Sequence, residues 1–142
     1  MDESTTRPAA KIIVADDDPL MRELLAYTLR EEGYDVVEIP DGGRLLVQLA
    51  THFKSVERLP ADLVLSDIRM PVLSGLAMLR ALRDAHWMRP VILMTAFPDD
   101  EVKRSAARLG AELLEKPFSM ALLRERVRAA LASADGNGAL RR

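Results

Sequence analysis

At 142 residues the chain is long enough for one domain with its own core and too short for two of ordinary size. A net charge of -2 offers no basic excess for binding nucleic acid through bulk electrostatics, and the lack of cysteine removes disulfides and thiolate metal sites. His52 and His86 are far apart in sequence, a poor start for zinc.

No apolar run reaches the length of a membrane span, and MDESTTRPAA lacks the charged-then-apolar order of a signal peptide. The expectation is a cytoplasmic domain over 11–133, with a disordered segment at 1–10 and a flexible, Gly-rich tail at 134–142.

The first element is Ile12-Ile13-Val14, short, β-branched and without polar alternation, as a strand buried on both faces should be. Pro19 to Glu32 follows as a helix, with Met21, Leu24, Leu25 and Leu29 at helical spacing, Asp18 as its cap and Gly33 as its stop. Tyr34 to Pro40 reads as a second strand whose polar interruptions suit an edge. Asp41-Gly42-Gly43 opens a second helix that runs to about Phe53, and His52 to Pro60 forms a long connection. Ala61 to Asp67 is a third strand, Ser74 to Ala85 a helix with Leu76, Leu79 and Leu82 on one side. Pro90 to Ala96 is an aliphatic, central strand. Asp99 to Leu109 is a helix stopped by Gly110, Ala111 to Glu115 a fifth strand, and Phe118 to Ser133 the last helix. Met70, Met78 and Met94 read as core filler, and His86 and Trp87 as packing or surface at the far rim.

Strands separated by helices five times over predict a doubly wound parallel α/β sheet, (βα)5 and flavodoxin-like, in the order 2-1-3-4-5. Ligands of such sheets bind beyond the carboxyl ends of the strands. Those ends carry Asp16 and Asp17, then Asp67, then Thr95, then Lys116-Pro117. Clustered carboxylates without histidine or cysteine suit a hard cation such as Mg²⁺, which would neutralise them and recruit a phosphoryl group. Asp67 would then be the carboxylate nucleophile, with Thr95 and Lys116 on the phosphoryl oxygens.

Each residue alone has a plainer reading. The aspartates could cap a helix, Asp67 could be a loop carboxylate, Thr95 a strand residue, and Lys116-Pro117 a helix entry. Their coincidence at four strand ends is what favours a shared site.

The pieces IIVADDD, ADLVLSDIRMPVLSGLAML, VILMTAF and GAELLEKPF, in that order, resemble the response-regulator receiver domain of two-component signalling. The resemblance covers roughly Lys11 to Ser133. It implies that Asp67 is the phosphoacceptor, and that Asp16, Asp17, Asp67 and the backbone carbonyl of Arg69 hold Mg²⁺. Thr95 would be the switch hydroxyl, Lys116 the phosphoryl-pairing lysine, and the Lys116-Pro117 peptide cis. The implied partners are a sensor histidine kinase or histidine phosphotransfer protein, and a downstream protein or an output domain. A homodimer on phosphorylation is a further implication, with Lys103, Arg104, Arg108 and Arg124 as candidate contacts.

The sequence departs from the family at Leu113, where an aromatic residue usually stands; Phe97 and Phe118 are the candidates to replace it. Arg69 and Phe97 occupy positions that vary in the family and tune phosphoryl lifetime. Two other classes remain: an aspartate-nucleophile phosphohydrolase, which Asp16-x-Asp18 faintly suggests, and a docking module independent of phosphorylation.

Overall fold

The structure is a computed structural model that describes residues 9–51 and 61–140. Its elements alternate in chain order: β1 (Lys11–Ala15), α1 (Pro19–Glu31), β2 (Asp35–Ile39), α2 (Gly42–Thr51), β3 (Leu63–Asp67), α3 (Gly75–Asp84), β4 (Val91–Thr95), α4 (Asp100–Arg108), β5 (Glu112–Glu115) and α5 (Met120–Leu140). All strand pairs are parallel and the sheet order is β2-β1-β3-β4-β5. This is the flavodoxin-like arrangement that the sequence predicts. The reversal of strand order lies between β1 and β3, and it sets the position of the site.

The period of two along each strand divides the apolar residues between two faces. Ile13, Ala15, Val64, Val91 and Leu93 face a core completed by Leu45 of α2, Met78, Leu79 and Leu82 of α3, and Ala106 of α4. Ile12, Val14, Leu63, Leu65, Ile92 and Met94 face the other core, closed by Leu25 and Leu29 of α1 and Leu123 and Val127 of α5. β3 and β4 are buried along their whole length, which explains why neither shows polar alternation. Truncating a fully buried leucine such as Leu65 to alanine should cost about 2–5 kcal/mol.

Helix starts follow side-chain capping. Asp18 accepts from the N–H of Leu20 and of Met21, Ser74 from Ala77 and Asp99 from Val102. Gly33 (φ 96°) and Gly110 (φ 71°) take the left-handed conformation that ends α1 and α4. Trp87 is fully buried in the core beside exposed His86.

Two expectations need correction. Leu24 is exposed, because Leu25, Ala26 and Leu29 set the buried stripe of α1 and Leu24 lies about 100° round the helix from Leu25. The last helix does not end at Ser133 with a loose tail after it; α5 continues to Leu140. Adding residues to a helix already nucleated and docked gains one hydrogen bond per residue, and no proline interrupts this stretch. The connection His52 to Pro60, the end of the second helix at Phe53, the segment 1–8 and residues 141–142 lie outside the described residues.

Candidate functional site

At the carboxyl rim, β1 ends at Ala15 and the N–H of Asp16 donates to the carbonyl oxygen of Ile39 at 3.1 Å. This bond holds Asp16 against the sheet, where its side chain is buried, while Asp17 turns outward to solvent. Arg22 of α1 donates to the carbonyl oxygen of Asp16 at 2.9 Å and is itself held by Glu38 at 3.5 Å. Oδ1 of Asp16 accepts from the N–H of Asp18 at 3.0 Å. Its Oδ2 is buried and accepts no hydrogen bond among the described residues.

Asp67 is the last residue of β3, paired in register with Met94 and nearly buried. Oxygens of Asp16, Asp17 and Asp67 lie within 4.8 Å of one another. The N–H of Lys116 donates to the carbonyl oxygen of Thr95 at 2.8 Å, which continues the β4–β5 pairing by one residue and delivers the lysine to the same rim. Its Nζ stands 3.3 Å from Asp67 Oδ1 and 3.7 Å from Asp16 Oδ2. The following Lys116-Pro117 peptide is cis, as the resemblance implies.

Among the described residues three carboxylates thus meet the Lys116 ammonium, short of balance. Burial is the main cause that lifts the carboxyls of Asp16 and Asp67 above the ordinary aspartate value, against the pull of Lys116; repulsion from Asp17 adds to it at both. An oxygen donor set of this kind, with one buried oxygen left unbonded and no nitrogen or sulfur ligand, fits a divalent hard cation. Arg69 lies two residues beyond Asp67 and lines, with Asp17, Ile68, Met70, Pro71 and Ser74, an open cleft of about 470 Å³ beside the acid pair.

Thr95, at the end of β4, is buried and its Oγ1 accepts from the N–H of Phe97 at 3.0 Å. With the backbone supplying a donor, the hydroxyl proton stays available to a ligand at the rim. Leu113 packs into the α3–α4 side of the core, whereas Phe118 packs on the opposite, α1–α5 side. Phe118 is therefore on the wrong face to stand in for an aromatic residue at 113. Phe97 is exposed, and its ring carries the guanidinium of Arg69 at 4.7 Å from the centroid. Lys103, Arg104 and Arg108 lie on exposed positions of α4, and Arg124 is half-buried on α5.

The sequence reading missed three contributors. Arg22 is invisible as a support because an arginine on an amphipathic helix ordinarily faces water. Gly42 reads only as part of a helix start and Gly75 draws no reading of its own, yet a Cβ at Gly75 would stand 2.6 Å from the carbonyl oxygen of Asp67. Their spacing before and after Asp67 carries no local signal of that contact.

The fold and the site together define a flavodoxin-like α/β module with an acidic carboxyl rim. The chain belongs to the response regulator receiver domain family, which it matches over residues 12–128. It is a receiver domain of two-component signalling, similar to the alkaline phosphatase synthesis transcriptional regulatory protein PhoP of Bacillus subtilis. The two are 34% identical over 122 residues, 85% of this chain and 48% of PhoP. The DNA-binding transcriptional regulator NtrC of Salmonella typhimurium is 39% identical over 108 residues, 75% of this chain and 22% of NtrC. The chain therefore spans about half or less of these relatives. Among solved structures, the Francisella response regulator 1452 receiver domain superposes with a TM-score of 0.76 at 30% identity, covering 87% of this chain and 98% of that one.

Proposed function

We propose that this receiver is a phospho-switch charged on Asp67. The observation that carries the reading is the placement of Asp67, nearly buried at the end of β3, with Lys116 Nζ at 3.3 Å and the Asp16–Asp17 pair beside it. Receiver domains bind Mg²⁺ in an acidic pocket; here Asp16, Asp17, Asp67 and the carbonyl of Arg69 would hold it. When bound, the ion supplies positive charge for the equatorial oxygens of a transferring phosphoryl group.

The donor is the phosphohistidine of a sensor histidine kinase or histidine phosphotransfer protein. A carboxylate oxygen of Asp67 attacks phosphorus in line as the phosphorus–nitrogen bond breaks, and the imidazole leaves with the electron pair and takes a proton from water. Lys116, already against Asp67, follows the new dianion, and the Thr95 hydroxyl donates to a phosphoryl oxygen. Both contacts exist only in the charged state, so they can bias a two-state equilibrium; a full reversal needs about 5.5 kcal/mol.

The α4-β5-α5 face then carries the change to a downstream protein or an output domain, or pairs with a second copy of the chain. The relatives PhoP and NtrC are regulators of transcription by name. This reading places the chain in the cytoplasm, turning over no substrate beyond its own phosphorylation and dephosphorylation.

Incubation with acetyl phosphate, followed by intact-mass spectrometry, tests it. One phosphoryl adduct that requires Mg²⁺ and is absent from Asp67→Asn is the expected result. An adduct that survives in Asp67→Asn, or no adduct together with no binding of beryllofluoride, refutes it and favours a docking module.

A further inference from the structure

We propose that Gly42, the first residue of α2, is a positioning residue for the acidic rim. It lets the β3–α3 loop pack backbone against backbone on α2, and this contact fixes where the carbonyl of Arg69 stands relative to the carboxylates. The inference rests on the Mg²⁺-dependent reading above and adds a structural origin for one of its ligands.

The contact is unusually close. A Cβ added at Gly42 would lie 2.3 Å from the carbonyl oxygen of Pro71, 2.4 Å from the nitrogen of Leu73 and 2.4 Å from the carbonyl oxygen of Leu73. All three are backbone atoms, so no side-chain rotation could make room. They also belong to one turn. The N–H of Leu73 donates to the carbonyl oxygen of Pro71 at 2.8 Å across Val72, whose φ is +74°. A γ-turn with positive φ is rare and strained, and a β-branched residue there is an outlier. Val72 is also 79% exposed, so no burial of its own side chain compensates. What holds the turn must come from its neighbours.

Gly42 is one neighbour and Gly75 the other. The N–H of Gly75 donates to the carbonyl oxygen of Ile68 at 2.9 Å, which closes the loop at its far end, and only a glycine fits beside the Asp67 carbonyl there. The segment Ile68 to Ser74 is therefore closed at its ends by Gly75 and packed at its Pro71–Leu73 turn by Gly42, both residues without side chains. Arg69 sits inside it, in the wall of the cleft that Asp17 shares. The contrast with Gly33 and Gly110 is sharp. Both have positive φ at the opposite rim, and a Cβ at either would meet nothing within 4 Å. Gly43, the next residue of the same helix, differs in that a Cβ there would meet only side-chain atoms, Asp41 Oδ1 at 3.2 Å and Val72 Cγ2 at 3.8 Å, so a small side-chain shift relieves it without moving the turn's backbone.

Mg²⁺ titration calorimetry on Gly42→Ala, Gly43→Ala, Gly33→Ala and the wild type, beside thermal unfolding of each, tests the proposal. Gly42→Ala should bind Mg²⁺ about 10–100-fold more weakly, the loss usual when a support behind a metal ligand is removed. Gly43→Ala should bind as wild type does, and Gly33→Ala should lose stability but not affinity. Should Gly42→Ala fail to fold, the double variant with Val72→Gly, in which the turn is free to yield, should recover the fold and keep the weakened affinity. Wild-type affinity in Gly42→Ala or in the double variant overturns the proposal, as does an equal loss in Gly33→Ala. A wild-type protein that binds no Mg²⁺ overturns the metal reading itself, and the role given to Gly42 with it.

Discussion

At the amino rim of the sheet, Arg83 gives its guanidinium to four carbonyl oxygens, those of Trp87 at 2.9 Å, Arg89 at 2.8 Å, Leu109 at 2.8 Å and Gly110 at 3.4 Å. At the carboxyl rim, Asp16 keeps a buried oxygen with no hydrogen bond among the described residues, and three carboxylates lie around the Lys116 ammonium. Both rims take ionisable groups out of water, and burial opposes charge at each: it lowers the pKa of Arg83 and raises those of Asp16 and Asp67. The difference is in what the protein provides in return. Arg83 finds acceptors at the ends of α3 and α4 and ties two loops together, so it serves the fold. Asp16 and Asp67 receive no such compensation from the described residues, and on the function proposed above a cation and an anion from outside would supply it.

The largest effect should come from the satisfied rim. Arg83→Ala leaves carbonyls of two loops without their donor and should cost about 3 kcal/mol in denaturant unfolding: a hydrogen bond from a charged group is worth about 1.5–3 kcal/mol, and the four are not additive because carbonyls freed at this partly exposed rim turn to water. Mg²⁺ affinity should not change; if it does, the rims are coupled and the division above is wrong.

Asp16→Asn should act in the opposite direction. With no metal added, removing a charge that burial disfavours should stabilise the protein by something on the order of 1 kcal/mol at neutral pH. The pH dependence has a definite sign. A raised folded-state pKa means that the folded protein holds the proton to higher pH than the unfolded chain does. Stability from this group is thus present below the unfolded value of about 3.8 and falls as pH rises through the folded value. The advantage of Asp16→Asn over wild type should be larger at pH 7 than near pH 4, in thermal unfolding followed by circular dichroism. A constant offset across that range would count against burial as the cause.

Val72→Gly should raise stability by about 1 kcal/mol, because relief at positive φ exceeds the entropy cost of glycine. The smallest effect is expected on the exposed surface. The Arg128–Glu32 pair, at 3.4 Å, lies open to solvent, and Arg128→Ala should change stability by no more than about 0.5 kcal/mol.

Much of this was legible in the chain. The strands and their order follow from apolar runs that alternate with helical periodicity, and the site follows from reading which residues end those strands. That step picks out Asp16, Asp17, Asp67 and Lys116, which the structure brings together at one rim, and Thr95 at the end of β4. What escaped depends on contacts between distant segments. Nothing near Gly42 announces Pro71 and Leu73, and a valine suggests a strand, not a turn with positive φ. Arg83 follows Leu82 on a helix where the neighbouring exposed position, Arg80, is an ordinary surface residue. The carbonyls of Trp87, Arg89, Leu109 and Gly110 that gather round it are what distinguish it. Leu113 was visible as a departure, but the exclusion of Phe118 as its substitute required knowing that the two lie on opposite faces of the sheet.

Hydrogen–deuterium exchange with and without Mg²⁺ examines both rims of one molecule at once. Slower exchange at Asp16–Asp18 and through Ile68–Gly75, with no change at His86–Arg89 and Leu109–Ala111, is the expected result. Protection that rises equally at the two rims, or at neither, would contradict the view that the carboxyl rim alone is built to receive its missing charge from outside.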